Sequence, residues 1–189
     1  MNLAIRADSS ENIGTGHIVR CVSLAKELRK SGIKVYFISK NYRVNILKLV
    51  KKNKFLLTKL DQFLSIKEDI SATSKILKKY KIDSLILDNY NLNSIWEKSI
   101  KKKLKKLIVI SDSDKNHFCD ILINYNILQN KKKHFLNNNK SATRVFFGLR
   151  YAILNDEYQE IKKKINIKKK LKKINIFFVL FKSSLELLD

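Results

Sequence analysis

The sequence predicts an α/β fold built on a Rossmann-like parallel sheet, and three observations carry that prediction. Short apolar runs recur at residues 3–7, 34–39, 84–88, 107–110 and 120–124. Stretches with apolar residues at three-to-four spacing separate most of them, as helices crossing between strands require. The runs are apolar at consecutive positions, as in Leu85-Ile86-Leu87 and Leu107-Ile108-Val109-Ile110, which suits strands covered on both faces.

Residues 3–7 form the first strand, ending in Asp8-Ser9-Ser10 and followed by the turn Gly14-Thr15-Gly16-His17. From Ile18 a helix carries Val19, Val22, Leu24, Ala25 and Leu28 until Ser31-Gly32 closes it. KVYFIS at 34–39 alternates as a second strand. A helix near 44–52 precedes a short strand near 55–60, and a helix over 66–80 precedes the strand 84–88. Another helix over 92–103 leads into the strand 107–110, and DILIN at 120–124 makes one more. The lysine-rich segment 161–173 is expected to be a linker or solvated helix, and INIFFVLF at 174–181 a central strand. The expected organisation is therefore one domain over 1–160, a linker over 161–173, and the first strand of a second domain within 174–189.

A chain of 189 residues has room for one domain with a full core. Its net charge of +23 raises the question of a polyanionic partner. The lysines, however, are scattered over several runs (51–54, 101–106, 131–133, 162–173) with no aromatic RNA-binding motif beside them. With only four glycines and no proline, the composition fits codon drift in an AT-rich genome better than a nucleic-acid footprint, and no specific nucleic acid is expected. Cys21 and Cys119 lie in no metal-ligand spacing, so no metal or other cofactor is implied. No apolar stretch reaches the roughly 18–20 residues needed to span a bilayer, and no signal pattern opens the chain. A cytoplasmic chain with no membrane partner is the expectation.

Ligands of parallel sheets bind beyond the carboxyl ends of the strands, which singles out residues 8–17, 88–90 and 111–117. A Gly-x-Gly turn from strand into helix lets backbone amides approach a phosphate closely, although the same pattern also serves as a simple turn. Two of the few glycines, Gly14 and Gly16, fall in this one loop with Thr15 between them. It is no dinucleotide fingerprint, since Val19 stands where a third glycine belongs, and no P-loop, since G-K-[ST] is absent. His17 is the best candidate base, because an imidazole accepts a proton at neutral pH and the positive end of a helix favours the neutral ring. The alternative is a histidine that caps the helix or packs beneath the loop.

The run Arg6-Ala7-Asp8-Ser9-Ser10 with Ile13-Gly14-Thr15-Gly16-His17-Ile18-Val19-Arg20-Cys21 resembles the N-terminal signature of the nucleotide-sugar hydrolases of pseudaminic acid biosynthesis and of related spore-coat polysaccharide proteins. The resemblance continues at 86–90, at 110–124 and at 148–154, covering roughly residues 1–180. It implies the N-terminal domain of a two-domain GT-B fold, with a sugar nucleotide lying between the halves. The implied reaction is hydrolysis of UDP-2,4-diacetamido-2,4,6-trideoxy-β-L-altrose to UDP and free sugar. By the same resemblance His17 activates water, Tyr90 stands near the sugar, and Asp8, Ser9, Gly14, Thr15 and Gly16 shape the sugar and diphosphate site. For Tyr90 a strand-capping role is the alternative; for Asp112 and Asp114, plain loop solvation is expected.

The resemblance fails after the run 174–181, where the family continues with a glycine-rich loop and this sequence reads Lys182-Ser183-Ser184-Leu185-Glu186-Leu187-Leu188-Asp189. The expectation is a C-terminal domain largely missing, poor UDP binding and slow or absent turnover by the chain alone. A separately encoded C-terminal half is the partner expected to restore it.

Overall fold

The computed structural model describes residues 1–10, 14–40, 47–113, 115–126, 139 and 141–154. The expected linker over 161–173 and the expected strand at 174–181 lie outside the described residues, as does Asp114.

Among the described residues seven parallel strands form one sheet in the order β3-β2-β1-β4-β5-β6-β7. They are β1 (Asn2–Ala7), β2 (Lys34–Lys40), β3 (Leu56–Leu60), β4 (Ser84–Asp88), β5 (Lys106–Ile110), β6 (Ile121–Asn124) and β7 (Arg144–Phe147). The helices are α1 (Gly16–Lys30), α2 (Leu47–Lys52), α3 (Ile66–Lys79) and α4 (Ser94–Lys101). This is the expected Rossmann-like α/β fold. Among the described residues no helix is long and apolar enough to cross a membrane.

Alternation along β1 explains the layering. Leu3, Ile5 and Ala7 join the core beneath α1 and α2, while Ala4 joins the opposite core beneath α3 and α4, as the period of two in a strand requires. Phe37 and Val35 of β2 bury on the first side, Tyr36 and Ile38 on the second. Fully burying an aromatic or aliphatic side chain of this size contributes about 1.5–3 kcal/mol each. In α1 the buried stripe is Ile18, Cys21, Val22, Leu24, Ala25 and Leu28. Val19, expected on that stripe, is only half-buried, because at 100° per residue it falls on the flank.

Helix starts follow their capping residues. Ser65 and Glu68 form a reciprocal capping box that opens α3. The Asn93 side chain accepts from the Ile95 and Trp96 amides at 3.1 and 3.3 Å, starting α4 two residues later than the apolar pattern suggests. Strand β7 has no counterpart among the sequence expectations. It is a four-residue edge strand, half-buried at best, so it lacks the long apolar run by which the inner strands announce themselves.

The parallel strands β5 and β6 are joined through residues 111–120 with no helix among those described. Side chains from α4 hold this crossover instead. Glu97, fully buried, lies 2.7 Å from His117 Nδ1 and accepts the Phe118 amide at 2.6 Å. Asp120 accepts the Leu107 amide at 2.8 Å and pairs with Lys101.

Candidate active site

The chain leaves β1 toward β2 on one side and returns through β4 on the other, so the strand order reverses between β1 and β4. The carboxyl ends of two such neighbouring strands open a crevice. Residues after Ala7 and Asp88 border it, with the first turn of α1 above them.

His17 lies in that first turn, with its Nδ1 2.6 Å from Oδ1 of Asp88, the last residue of β4. A bare Nδ1 lone pair facing a carboxylate at this distance would set two acceptors against each other. Arg20 Nη2, which can only donate, also reaches Nδ1, at 2.9 Å; the neutral tautomer with its proton on Nδ1, directed to Asp88, is the one that leaves the Nε2 lone pair free. Arg20, one turn further along α1, grips the same carboxylate as a fork, through Nε to Oδ2 at 2.6 Å and through Nη2 to Oδ1. Burial by itself pushes the Asp88 carboxyl up, but the bonds from Arg20 and His17 outweigh it and hold its pKa below the ordinary value. The imidazole is thus oriented by a carboxylate that is itself held ionised.

The imidazole is 4% exposed, at the carboxyl end of the sheet. Tyr90 packs edge-to-face against it, with ring centroids 4.4 Å apart and planes at 82°. The Tyr90 hydroxyl donates to Asp112 Oδ2 at 2.7 Å. Partial burial first, and then this carboxylate, raise the phenol pKa to about 12, so Tyr90 is a neutral phenol at physiological pH. Tyr125, just after β6, donates to the same Oδ2 at 3.2 Å and accepts from Arg20 Nη1.

The structure puts the remaining expected residues in two groups. Gly14, Thr15 and Gly16 are exposed at the mouth of α1. Gly14 adopts φ +77°, which favours glycine, whereas a Cβ at Gly16 meets nothing within 4 Å. Thr15 occupies the N-cap position without a side-chain capping bond. Asp8 and Ser9 are buried beneath the loop. Ser9 Oγ donates to the Gly14 carbonyl at 2.7 Å. Asp8 pairs with Arg6 and accepts the Lys40 amide and the Asn89 side-chain amide, each at 2.7 Å. These bonds tie the ends of β1, β2 and β4 together, so Asp8 acts on the site through the frame. His117 is bound to Glu97 of α4. Among the described residues no His, Cys, Asp and Glu group is placed to hold a metal.

Arg20 and Tyr125 were missed by sequence reasoning. Arg20 follows His17 at helical i+3 spacing, which puts both on one face, and Tyr125 stands one residue beyond a strand end, where ligand-facing residues are expected.

The two buried carboxylates make acid stability a test. The Asp8 pKa is also lowered, burial opposing and Arg6 with the Lys40 and Asn89 donors prevailing. A depressed folded-state pKa contributes stability that is present above the unfolded value, about 3.9, and is lost as pH falls through the folded value. The urea midpoint is expected to hold down to about pH 4 and to fall below it, every tenfold difference in proton affinity between the folded and unfolded chain contributing about 1.4 kcal/mol. In Asp88→Asn the decline is expected to be shallower; an unchanged profile would contradict the assignment.

No family model matches the chain. An uncharacterized protein of Methanocaldococcus jannaschii is 30% identical over 187 residues, covering 97% of this chain and 37% of that protein. The UDP-2,4-diacetamido-2,4,6-trideoxy-beta-L-altropyranose hydrolase of Campylobacter jejuni is 30% identical over 164 residues, 86% of this chain and 55% of that protein. The chain therefore spans from about a third to about half the length of these two relatives. Among solved structures, Acinetobacter baumannii MurG matches with a TM-score of 0.56 at 11% identity, over 78% of this chain and 45% of that one. A glycosyltransferase from Rickettsia africae matches with a TM-score of 0.55 at 13% identity, over 89% and 50%. Identities this low speak to fold alone: the chain has the Rossmann-like architecture found in about half of each of these GT-B proteins, and in sequence it is similar to a UDP-sugar hydrolase.

Proposed function

We propose that the chain forms the sugar-side half of a nucleotide-sugar hydrolase, one that splits a UDP-linked diacetamido-trideoxy sugar into UDP and free sugar in pseudaminic acid biosynthesis. The observation that carries the proposal is the 2.6 Å bond between His17 Nδ1 and Asp88 at the reversal of strand order. With the ring proton on Nδ1, Nε2 is the acceptor of a proton. Water attacks the anomeric carbon, its proton passes to Nε2, and the bond from that carbon to the phosphate oxygen breaks with its electron pair leaving on UDP.

The exposed Gly14-Thr15-Gly16 mouth of α1 suits the diphosphate, since helix N-terminal amides and the dipole favour anions and the first turn holds no acidic side chain. Tyr90 faces the sugar, and Asp8 and Ser9 hold the loop from below. The nucleotide contacts come from a second domain. The similarity to the Campylobacter hydrolase over 86% of the chain supports this assignment.

The test is UDP release in water from the diacetamido-trideoxy substrate, measured for the chain alone and for the chain fused to the remaining length of the Campylobacter relative. The expected result is release by the fusion without any acceptor and little by the chain alone. Release that appears only when a sugar acceptor is added would make the protein a transferase instead.

A further inference from the structure

Tyr90, Tyr125 and Asp112 come from the ends of β4, β6 and β5, and they converge on one atom. Both phenol hydroxyls lie on Oδ2 of Asp112, at 2.7 and 3.2 Å. A carboxylate only accepts hydrogen bonds, and a phenol has a single proton. Each tyrosine must therefore spend its proton on Asp112. Tyr125 also accepts from Arg20, which leaves it one lone pair, whereas among the described residues Tyr90 keeps both of its own.

The arrangement is fixed from behind. The Asp112 carbonyl accepts from the Asn126 side chain at 2.8 Å, and the Tyr90 carbonyl accepts from Lys115 Nζ at 2.7 Å. Tyr90 is 38% exposed while its ring touches His17, so its oxygen stands beside the candidate base. Solvation of a surface loop, the role expected for Asp112 from sequence, does not require two tyrosines from two other strands to share one oxygen.

We propose that Asp112 is a positioning residue that turns Tyr90 and Tyr125 into hydrogen-bond acceptors, so that this side of the crevice recognises a sugar by its N–H and O–H donors, an acetamido N–H above all. The acetamido assignment rests on the nucleotide-sugar function proposed above; the orientation of the two hydroxyls does not. A protonated or amide side chain at 112 offers a donor to Tyr90 and lets the phenol proton turn outward, reversing what the site presents.

Two measurements separate these claims. In an alkaline titration followed by phenolate absorbance, the wild-type chain is expected to show a phenol that ionises near 12 and that is lost in Tyr90→Phe. In Asp112→Asn that phenol is expected to move toward the ordinary tyrosine value of about 10. If it does not move while circular dichroism reports an intact fold, the positioning role is overturned. In the second measurement UDP-N-acetylglucosamine, UDP-glucose and UDP are bound to the fusion protein described above. The wild type is expected to prefer the acetamido sugar over UDP-glucose, and Asp112→Asn to lose about tenfold in that preference, one hydrogen bond's worth, with UDP unaffected. No preference in the wild type overturns acceptor recognition. Failure of all three nucleotides to bind overturns the nucleotide-sugar function and with it the acetamido assignment, while the titration still decides the orientation.

Discussion

Replacing His17 by alanine is expected to slow UDP release by the fusion protein about 10²- to 10⁴-fold, the range over which a positioned base acts. The loss should fall on kcat, because in the proposed reaction the imidazole takes its proton only as water attacks, and binding of UDP should be nearly unchanged. The fold should survive. Asp88 retains the Arg20 fork, so its buried carboxylate is not left unpaired when the imidazole goes. Asp88→Asn makes a sharper test, since its geometry is conserved and its charge is not. An amide nitrogen facing Nδ1 would act as donor, moving the imidazole proton to Nε2 and blinding the base. Its loss of rate is therefore expected to approach that of His17→Ala, although the imidazole is still present. A His17→Ala enzyme that hydrolyses at the wild-type rate would remove this side chain from the chemistry altogether.

What was legible in the sequence divides along physical lines. The inner strands β1, β2, β4, β5 and β6 are covered on both faces, so consecutive apolar residues mark them, and their order along the chain with intervening helices was enough for a parallel sheet. Edge strand β7 has only half-buried side chains and left no such mark. His17 stood out because a Gly-x-Gly turn between strand and helix is rare in a chain with so few glycines. Its partner Asp88 is 71 residues away; spacing alone does not pair the two, whereas the alignment of β1 beside β4 does. Asp112 shows the limit most plainly. An aspartate in a polar loop reads as solvated until three strand ends are brought together and two hydroxyl protons have to be placed.

Arg6→Met is expected to destabilise the chain by about 3–5 kcal/mol, the usual cost of removing one partner from a buried ion pair. Arg6 lies on β1, fully buried, and its guanidinium pairs with both Asp8 and Asp69, the latter at 2.9 Å. Methionine fills much of the volume but offers no charge. Asp69 would retain Trp96 Nε1 and Thr73 Oγ1 as donors, at 2.8 and 3.2 Å, and Asp8 would retain its amides, yet two buried carboxylates would then face each other with no cation between them. Asp8 would lose the cation that offsets its burial, and its carboxyl would be driven toward the protonated form. A carboxyl whose folded pKa rises above the unfolded value gives a native state that binds more protons than the unfolded one, so stability falls as pH rises. The variant should therefore be more stable near pH 4 than near pH 7, whereas the wild-type midpoint is expected to be nearly the same at the two values. Adding Asp69→Asn removes one of the two stranded charges while keeping the acceptor for Trp96, and is expected to recover part of the loss. Urea denaturation of the three proteins at both pH values measures this. A variant with a wild-type midpoint at pH 7 would mean that Arg6 only fills space, and that Asp8 keeps the ends of β1, β2 and β4 together without its cation.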